Sequence, residues 1–208
     1  VKFVEGFDNY LSYKMLPEES IRRAVDSMAD IRFAPTEYCL DFLDKYGINV
    51  FSGNTVVDSI KLVEKYLNGR GEEQIVATIH RLENISRYEV LTRILSEMNQ
   101  LGERTGMKVK FFVHLHTKKK LKEFRINPSK YPNILFLPPA TYLSFLENLK
   151  RAKLVVTASG GVQEEAAYFG KRVLVVRTGT ERLFGNYSLH PFGIGLSDAD
   201  IEGAKKYK

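Results

Sequence analysis

The sequence of this 208-residue chain predicts an α/β fold, a parallel sheet with helices on both faces. Three observations carry that expectation. Short apolar, β-branched runs alternate with longer runs of helical periodicity from about residue 74 to residue 176. The run Leu154-Val155-Val156-Thr157 turns through Ala158-Ser159-Gly160-Gly161 directly into a helical pattern, a strand–turn–helix sequence. Polar residues able to do chemistry recur just after several of the strand runs, where ligands of parallel sheets bind.

Taken in order, residues 1–14 read as a strand edge and a loop. Residues 17–30 carry Ile21, Ala24, Val25 and Met28 at helical spacing, with Pro17 suited to the first turn and Glu18 and Glu19 behind it. A strand at 31–34 leads to a helix capped by Thr36 and stopped by Gly47. A strand at 48–51 follows, then a helix over 55–67 capped by Asn54. The polar, glycine-containing stretch 68–73 is the best linker. Beyond it the pattern predicts a strand at 74–79, a long helix at 86–105, a strand at 108–114 and a helix at 118–124. A strand at 134–137, a helix at 142–152, the strand at 154–157, a helix at 162–169 ended by Gly170 and a strand at 172–176 complete the order. The final residues, 199–208, read as a truncated helix.

Composition narrows the function classes. Hydrophobic residues at 44% and charged residues at 27% are ordinary for a globular domain. No apolar run reaches the roughly 20 residues that span a bilayer, so no membrane partner is expected. The single cysteine, Cys39, excludes an intrachain disulfide framework and a cysteine-rich zinc site. With no basic-then-apolar opening segment, a cytoplasmic location fits best. The net charge of +6 suits an anionic ligand. The basic run Lys118-Lys119-Lys120-Leu121-Lys122 has no interleaved aromatic residues and reads as a solvated helix face, not as a nucleic-acid surface.

The strand-end rule selects the candidate site. His80, His114 with His116, Ser159-Gly160-Gly161, and Thr178 through Arg182 each follow a strand and should share one edge of the sheet. The first amides of a helix lack internal partners and carry the positive end of its dipole, so the glycines would let a phosphate reach the backbone. Glu164 and Glu165 would then sit in the first turn, able to accept ribose hydroxyls. The competing reading is a tight turn with Ser159 as N-cap. Arg182 could grip a phosphate or pair with Glu181 on the surface. His80 could steady a departing phosphate, act as acid or base, or serve as a hydrogen-bonded structural residue. His114 and His116, two apart in an extended segment with no carboxylate or cysteine beside them, do not make a metal site. Phe145 is core or crevice wall. Glu18 could act as acid or base or simply complement a helix dipole, and Glu5 lies in a loop with no pattern of its own.

Six segments in order resemble the non-hydrolysing UDP-N-acetylglucosamine 2-epimerases: Leu16-Pro17-Glu18-Glu19, Ala34-Pro35-Thr36-Glu37, Gly53-Asn54-Thr55-Val56-Val57-Asp58, His80-Arg81-Leu82-Glu83-Asn84, Ser159 through Glu165, and Thr180-Glu181-Arg182. The resemblance implies a two-domain GT-B-type fold of Rossmann-like halves. Residues 1–68 would be the remnant of the first domain and its connection, and 69–208 the UDP-binding domain. It implies reversible conversion of UDP-N-acetylglucosamine to UDP-N-acetylmannosamine through 2-acetamidoglucal, with no cofactor, no metal and a homodimeric state. By position, Glu18 and Glu5 look like acid–base carboxylates, His80 like the histidine beside the diphosphate, and Ser159, Gly160 and Gly161 like the phosphate loop. Glu165 looks like the ribose ligand and Phe145 like the residue whose backbone meets uracil, while Arg182 and His114 lie in ligand-facing segments. The chain departs from the family where Phe7-Asp8-Asn9 lacks an arginine, where Ala158 replaces an aspartate, and where Leu115-His116 replaces Pro-Arg. Most of the first domain has no counterpart, which implies a fragment that is inactive alone. A glycosyltransferase of the same architecture and a non-catalytic UDP-sugar binder are the alternatives.

Overall fold

A computed structural model of the protein describes residues 17–35, 37–41, 43, 47–68, 73–177 and 186–189. The chain forms two compact units, residues 1–62 and 63–208. Residues 69–72 of the expected linker, residues 1–16 with Glu5, and the segment 178–185 with Arg182 lie outside the described residues.

The first unit holds helix α1 (Pro17–Met28), strand β1 (Ile31–Ala34), the short helix α2 (Glu37–Asp41), strand β2 (Ile48–Phe51) and most of helix α3 (Thr55–Val63). The two strands are parallel, with Ile31 opposite Ile48. Gly47 enters β2 at φ 76°, and a Cβ there would lie 3.1 Å from the Asp30 carbonyl, so the turn requires glycine. The Asn54 side chain caps α3 by accepting from the Val56 amide at 2.9 Å. The helix read as running to residue 67 ends at Val63 and passes into a 3₁₀ turn, Glu64–Tyr66.

Among the described residues the second unit forms a six-stranded, wholly parallel sheet. Its strands are β3 (Gln74–Thr78), β4 (Val109–Phe112), β5 (Ile134–Leu137), β6 (Ala152–Thr157), β7 (Arg172–Val175) and β8 (Asn186–Leu189), in the spatial order β5-β4-β3-β6-β7-β8. From β3 the chain steps outward twice, through α4 (Leu82–Ile85) with α5 (Tyr88–Thr105), then through α6 (Leu115–Glu123). It returns through α7 (Tyr142–Arg151) to β6 and steps the other way through α8 (Gly160–Tyr168) to β7. Right-handed crossovers place the first set of helices on one face and the second set on the other. Central strands are therefore buried on both sides, as the continuous burial from Gln74 to Ala77 shows. On one face Leu91, Ile94, Leu95, Met98 and Leu101 of α5 pack on Ile75, Ala77, Val109, Phe111, Leu154 and Val156. On the other, Leu146 and Leu149 of α7 and Ala166 of α8 are fully buried, and both helices pack on the sheet.

Three helix starts in the second unit differ from the sequence reading. The helix expected from residue 86 is α5 and begins at Tyr88, and α4, a short helix absent from the sequence reading, precedes it. The helix expected at 118–124 begins at Leu115, because the His114 side chain caps it by accepting from the His116 amide at 3.3 Å. The helix expected from residue 162 begins at Gly160.

Gly102 gives a stability prediction. It lies inside α5, where alanine would gain up to about 1 kcal/mol of helix propensity. A Cβ there would lie 2.8 Å from the Asn133 Cβ and 3.0 Å from the Met107 carbonyl. Asn133 cannot yield easily, since its amide donates to Asn99 Oδ1 at 2.9 Å. Overpacking of this kind costs about 1–3 kcal/mol, so Gly102→Ala should lower the urea midpoint despite its propensity. An unchanged or higher midpoint would mean that the α5–Asn133 contact gives way.

Candidate active site

The sheet reverses its direction of growth between β3 and β6, and the segments leaving these neighbours diverge to opposite faces. The crevice this opens is held at its floor by neighbouring bonds. The Ala158 amide donates to the Thr78 carbonyl at 3.3 Å and the Val176 amide to the Thr157 carbonyl at 2.9 Å. The Ser159 amide donates to Thr157 Oγ1 at 3.0 Å.

On one wall, Ser159 stands at the N-cap of α8 in an extended conformation, yet its side chain makes no capping bond. The first amides of α8 thus keep the lone donors and the dipole that suit an anion. Gly161 is exposed, and a Cβ on it would meet nothing within 4 Å. The turn therefore does not need glycine there for space. Because α8 starts two residues earlier than expected, Glu164 and Glu165 fall in its second turn, not the first. Burial, reinforced by the neighbouring Glu164, pushes the Glu165 carboxyl up to about 7. Tyr142, at the start of α7, lies close enough that Glu165 adds to the effect of burial in raising its phenol.

On the other wall, His80 follows β3, half-buried. Burial lowers its pKa first, then His114, Arg81 and His116, against a smaller raising effect of Glu83. The His80 and His114 rings are 5.1 Å apart, and His114 stacks on His116 at 5.1 Å. These two histidines, read as an extended pair, instead cap and open α6. Among the described residues no group of three His, Cys, Asp or Glu side chains could hold a metal ion. Nor, among those residues, is any helix long and apolar enough to cross a membrane. Phe145 lies in the first turn of α7, its amide donating to the Thr141 carbonyl at 2.9 Å and its ring set edge-on to Phe112 at 5.3 Å.

The C-terminal edge of the sheet thus carries His80, His114, Phe145, Ser159, Gly160, Gly161 and Glu165. Glu18 is placed in α1 of the first unit. Two further polar residues at this edge are buried: Thr117, which the sequence reading does not single out, and Asn84, which it names only as the end of the segment 80–84. Thr117 is fully buried and donates its hydroxyl to the Ile79 carbonyl. Asn84, equally buried, donates Nδ2 to the Val176 carbonyl at 2.8 Å and leaves Oδ1 without a partner, at a cost of about 1–3 kcal/mol. Nothing in the local pattern around Thr117 marks it, since it opens an otherwise basic helix.

A profile of the UDP-N-acetylglucosamine 2-epimerase family matches residues 7–199. The UDP-N-acetylglucosamine 2-epimerase of Methanococcus maripaludis is 32% identical over 187 residues, covering 81% of this chain and 51% of that protein. The Methanocaldococcus jannaschii enzyme of the same name is 35% identical over 185 residues, covering 80% and 50%. The crystal structure of the M. jannaschii epimerase in complex with UDP-GlcNAc and UDP superposes with a TM-score of 0.79 at 29% identity, over 94% of this chain and 59% of that one. The chain spans about half the length of these relatives. A match over nearly the whole chain, on a sheet whose C-terminal edge carries two of the six segments of the resemblance, 80–84 and 159–165, places this chain in the UDP-N-acetylglucosamine 2-epimerase family.

Proposed function

We propose that the chain supplies the UDP-binding side of a non-hydrolysing UDP-N-acetylglucosamine 2-epimerase, which interconverts UDP-GlcNAc and UDP-ManNAc. The observation that carries this reading is the N-terminus of α8, uncapped by Ser159 and open at Gly161, next to the β3–β6 switch point. The diphosphate would take the amides of Gly160 and Gly161 and the free hydroxyl of Ser159, whose own amide is held by Thr157, with His80 and His114 on its other side and Arg182 assigned to it by the resemblance alone. Glu165 would accept the ribose hydroxyls, and the Phe145 segment would border the uracil.

In the reaction, a carboxylate removes the C2 proton and the C1–O bond breaks with its electron pair going to UDP, leaving 2-acetamidoglucal. The diphosphate oxygen then returns to C1 while an acid delivers a proton to the opposite face of C2. Glu18 and Glu5 are assigned as the acid–base pair. The donors at α8 and His80 stabilise the charge that appears on the departing diphosphate. A homodimer is part of the same proposal, by analogy with the family.

Proton NMR in deuterated water tests both levels. Titrated into the chain, UDP should show broadened uracil and ribose signals, relieved by competing UDP-GlcNAc. A chain extended to the relatives' full length should replace the C2 proton of UDP-GlcNAc by deuterium and form UDP-ManNAc without an acceptor. No broadening at millimolar UDP would overturn the binding assignment. Binding without C2 exchange in the extended chain would overturn the epimerase assignment and favour a nucleotide-sugar sensor.

A further inference from the structure

His80 is the second residue past the end of β3, and two buried side chains tie the turn it stands in. Strand β3 ends at Thr78, so the carbonyl of Ile79 lies beyond the ladder. Thr117, from the first turn of α6, donates its hydroxyl to that carbonyl. Four residues after His80, Asn84 reaches across to donate to the Val176 carbonyl at 2.8 Å, just past the end of β7. The segment 79–84 is thus tied at its start to α6 and at its end to β7. His80 lies between the ties, with the His114 ring tilted against it.

Neither tie is what packing alone would select. Valine has nearly the shape of threonine and would fill the Thr117 position without a hydroxyl to satisfy. Leucine would fill the Asn84 position and remove the orphaned Oδ1. What the polar side chains add is a fixed backbone on either side of one histidine. We propose that Thr117 and Asn84 are positioning residues that hold His80 at the diphosphate, acting through the carbonyls of Ile79 and Val176. The proposal rests on the UDP-binding reading of this crevice, because only a ligand between His80 and α8 makes the placement of that ring matter. Displacing a polar group by about 1 Å can cost as much as 100-fold in a site that works by geometry.

The test compares Thr117→Val, Thr117→Ser and Asn84→Leu with the parent chain. It reads three quantities: UDP affinity by calorimetry, the NMR titration of the His80 ring without ligand, and the melting temperature. Thr117→Val should weaken UDP binding about 10-fold and move the His80 titration toward its ordinary value. Thr117→Ser keeps the hydroxyl and loses a buried methyl, so it should melt earlier yet bind UDP and titrate His80 like the parent. Asn84→Leu should also weaken UDP binding, without the loss of melting temperature a purely structural tie would show. A Thr117→Val protein that melts earlier but matches the parent in His80 titration overturns the proposal. So does a Thr117→Ser protein as impaired in that titration as the valine variant. If the parent itself fails to bind UDP, the functional reading falls, and the ligand-free His80 titration still decides whether these ties position the ring.

Discussion

A Gly161→Asp chain is expected to fold at least as stably as the parent and to lose UDP affinity by on the order of 100-fold. The two effects have opposite signs because the same helix end serves both. Gly161 is the second residue of α8, and its added Cβ would meet no neighbour. A carboxylate in the first turn of a helix gains about 0.3–1 kcal/mol from the dipole. The same carboxylate, about 5 Å from a bound diphosphate, opposes it by roughly 3 kcal/mol at an effective dielectric near 20. If the Ser-Gly-Gly segment were only a tight turn, the substitution would leave nucleotide binding alone. Calorimetric titration with UDP beside a thermal melt separates the cases. Unchanged UDP affinity in a stable Gly161→Asp protein would remove the phosphate loop from this site. Gly161→Ala is the milder companion: it adds no charge, so any loss of affinity comes from the methyl group held against the ligand.

How far the sequence foretells this site depends on how local each signal is. The strand–turn–helix at 154–168 is legible because a β-branched run, two glycines and a helix-forming run stopped by Gly170 are adjacent in the chain. The alternation of strands and helices likewise made the parallel sheet legible, since each βα unit buries its own apolar stripe. The start of α6 was misread because its cap is His114, an uncommon capping residue, and no sequence rule separates His-Leu-His as a strand end from a helix entry. The start of α8 was placed two residues late because Gly160 and Gly161 read as turn residues, yet they form its first helical positions. The ties that Thr117 and Asn84 make are not legible, although Asn84 belongs to the quoted segment 80–84, because their partners, Ile79 and Val176, lie 38 and 92 residues away. A tie across such a span exists only once the sheet has brought strands β3, β4 and β7 into register.

Glu165 makes the second large effect, and its sign runs against the usual carboxylate. Most native carboxylates are held below their ordinary value and stabilise the fold as pH rises. Here burial and Glu164 raise the carboxyl from 4.5 to about 7. Between those values the folded chain binds more protons at this position than the unfolded chain. The contribution of Glu165 to stability is therefore most favourable below about 4.5, falls as pH rises through the window, and is at its worst above about 7. Glu165→Gln removes the titration, so the variant should gain on the parent as pH rises from 5 to 8. Allowing for the solvent that still reaches this half-buried group, the gain should be on the order of 2 kcal/mol, measured by urea unfolding at both pH values. A parent and a variant with parallel pH profiles would overturn the raised carboxyl. A binding role predicts the opposite sign for affinity. Two ribose hydroxyls donating to Glu165 favour its ionised form, so UDP should expel up to about half a proton from this group near pH 7. Calorimetry in buffers of different ionisation enthalpy should show that release in the parent and not in Glu165→Gln, which should also bind UDP more weakly. The difference between the two proteins cancels any proton taken up by His80, whose lowered pKa leaves it ready to gain one when a diphosphate arrives. A carboxyl that weakens the empty fold and strengthens the liganded one is the arrangement expected of a binding group. A structural carboxyl would leave the proton count unchanged on adding UDP.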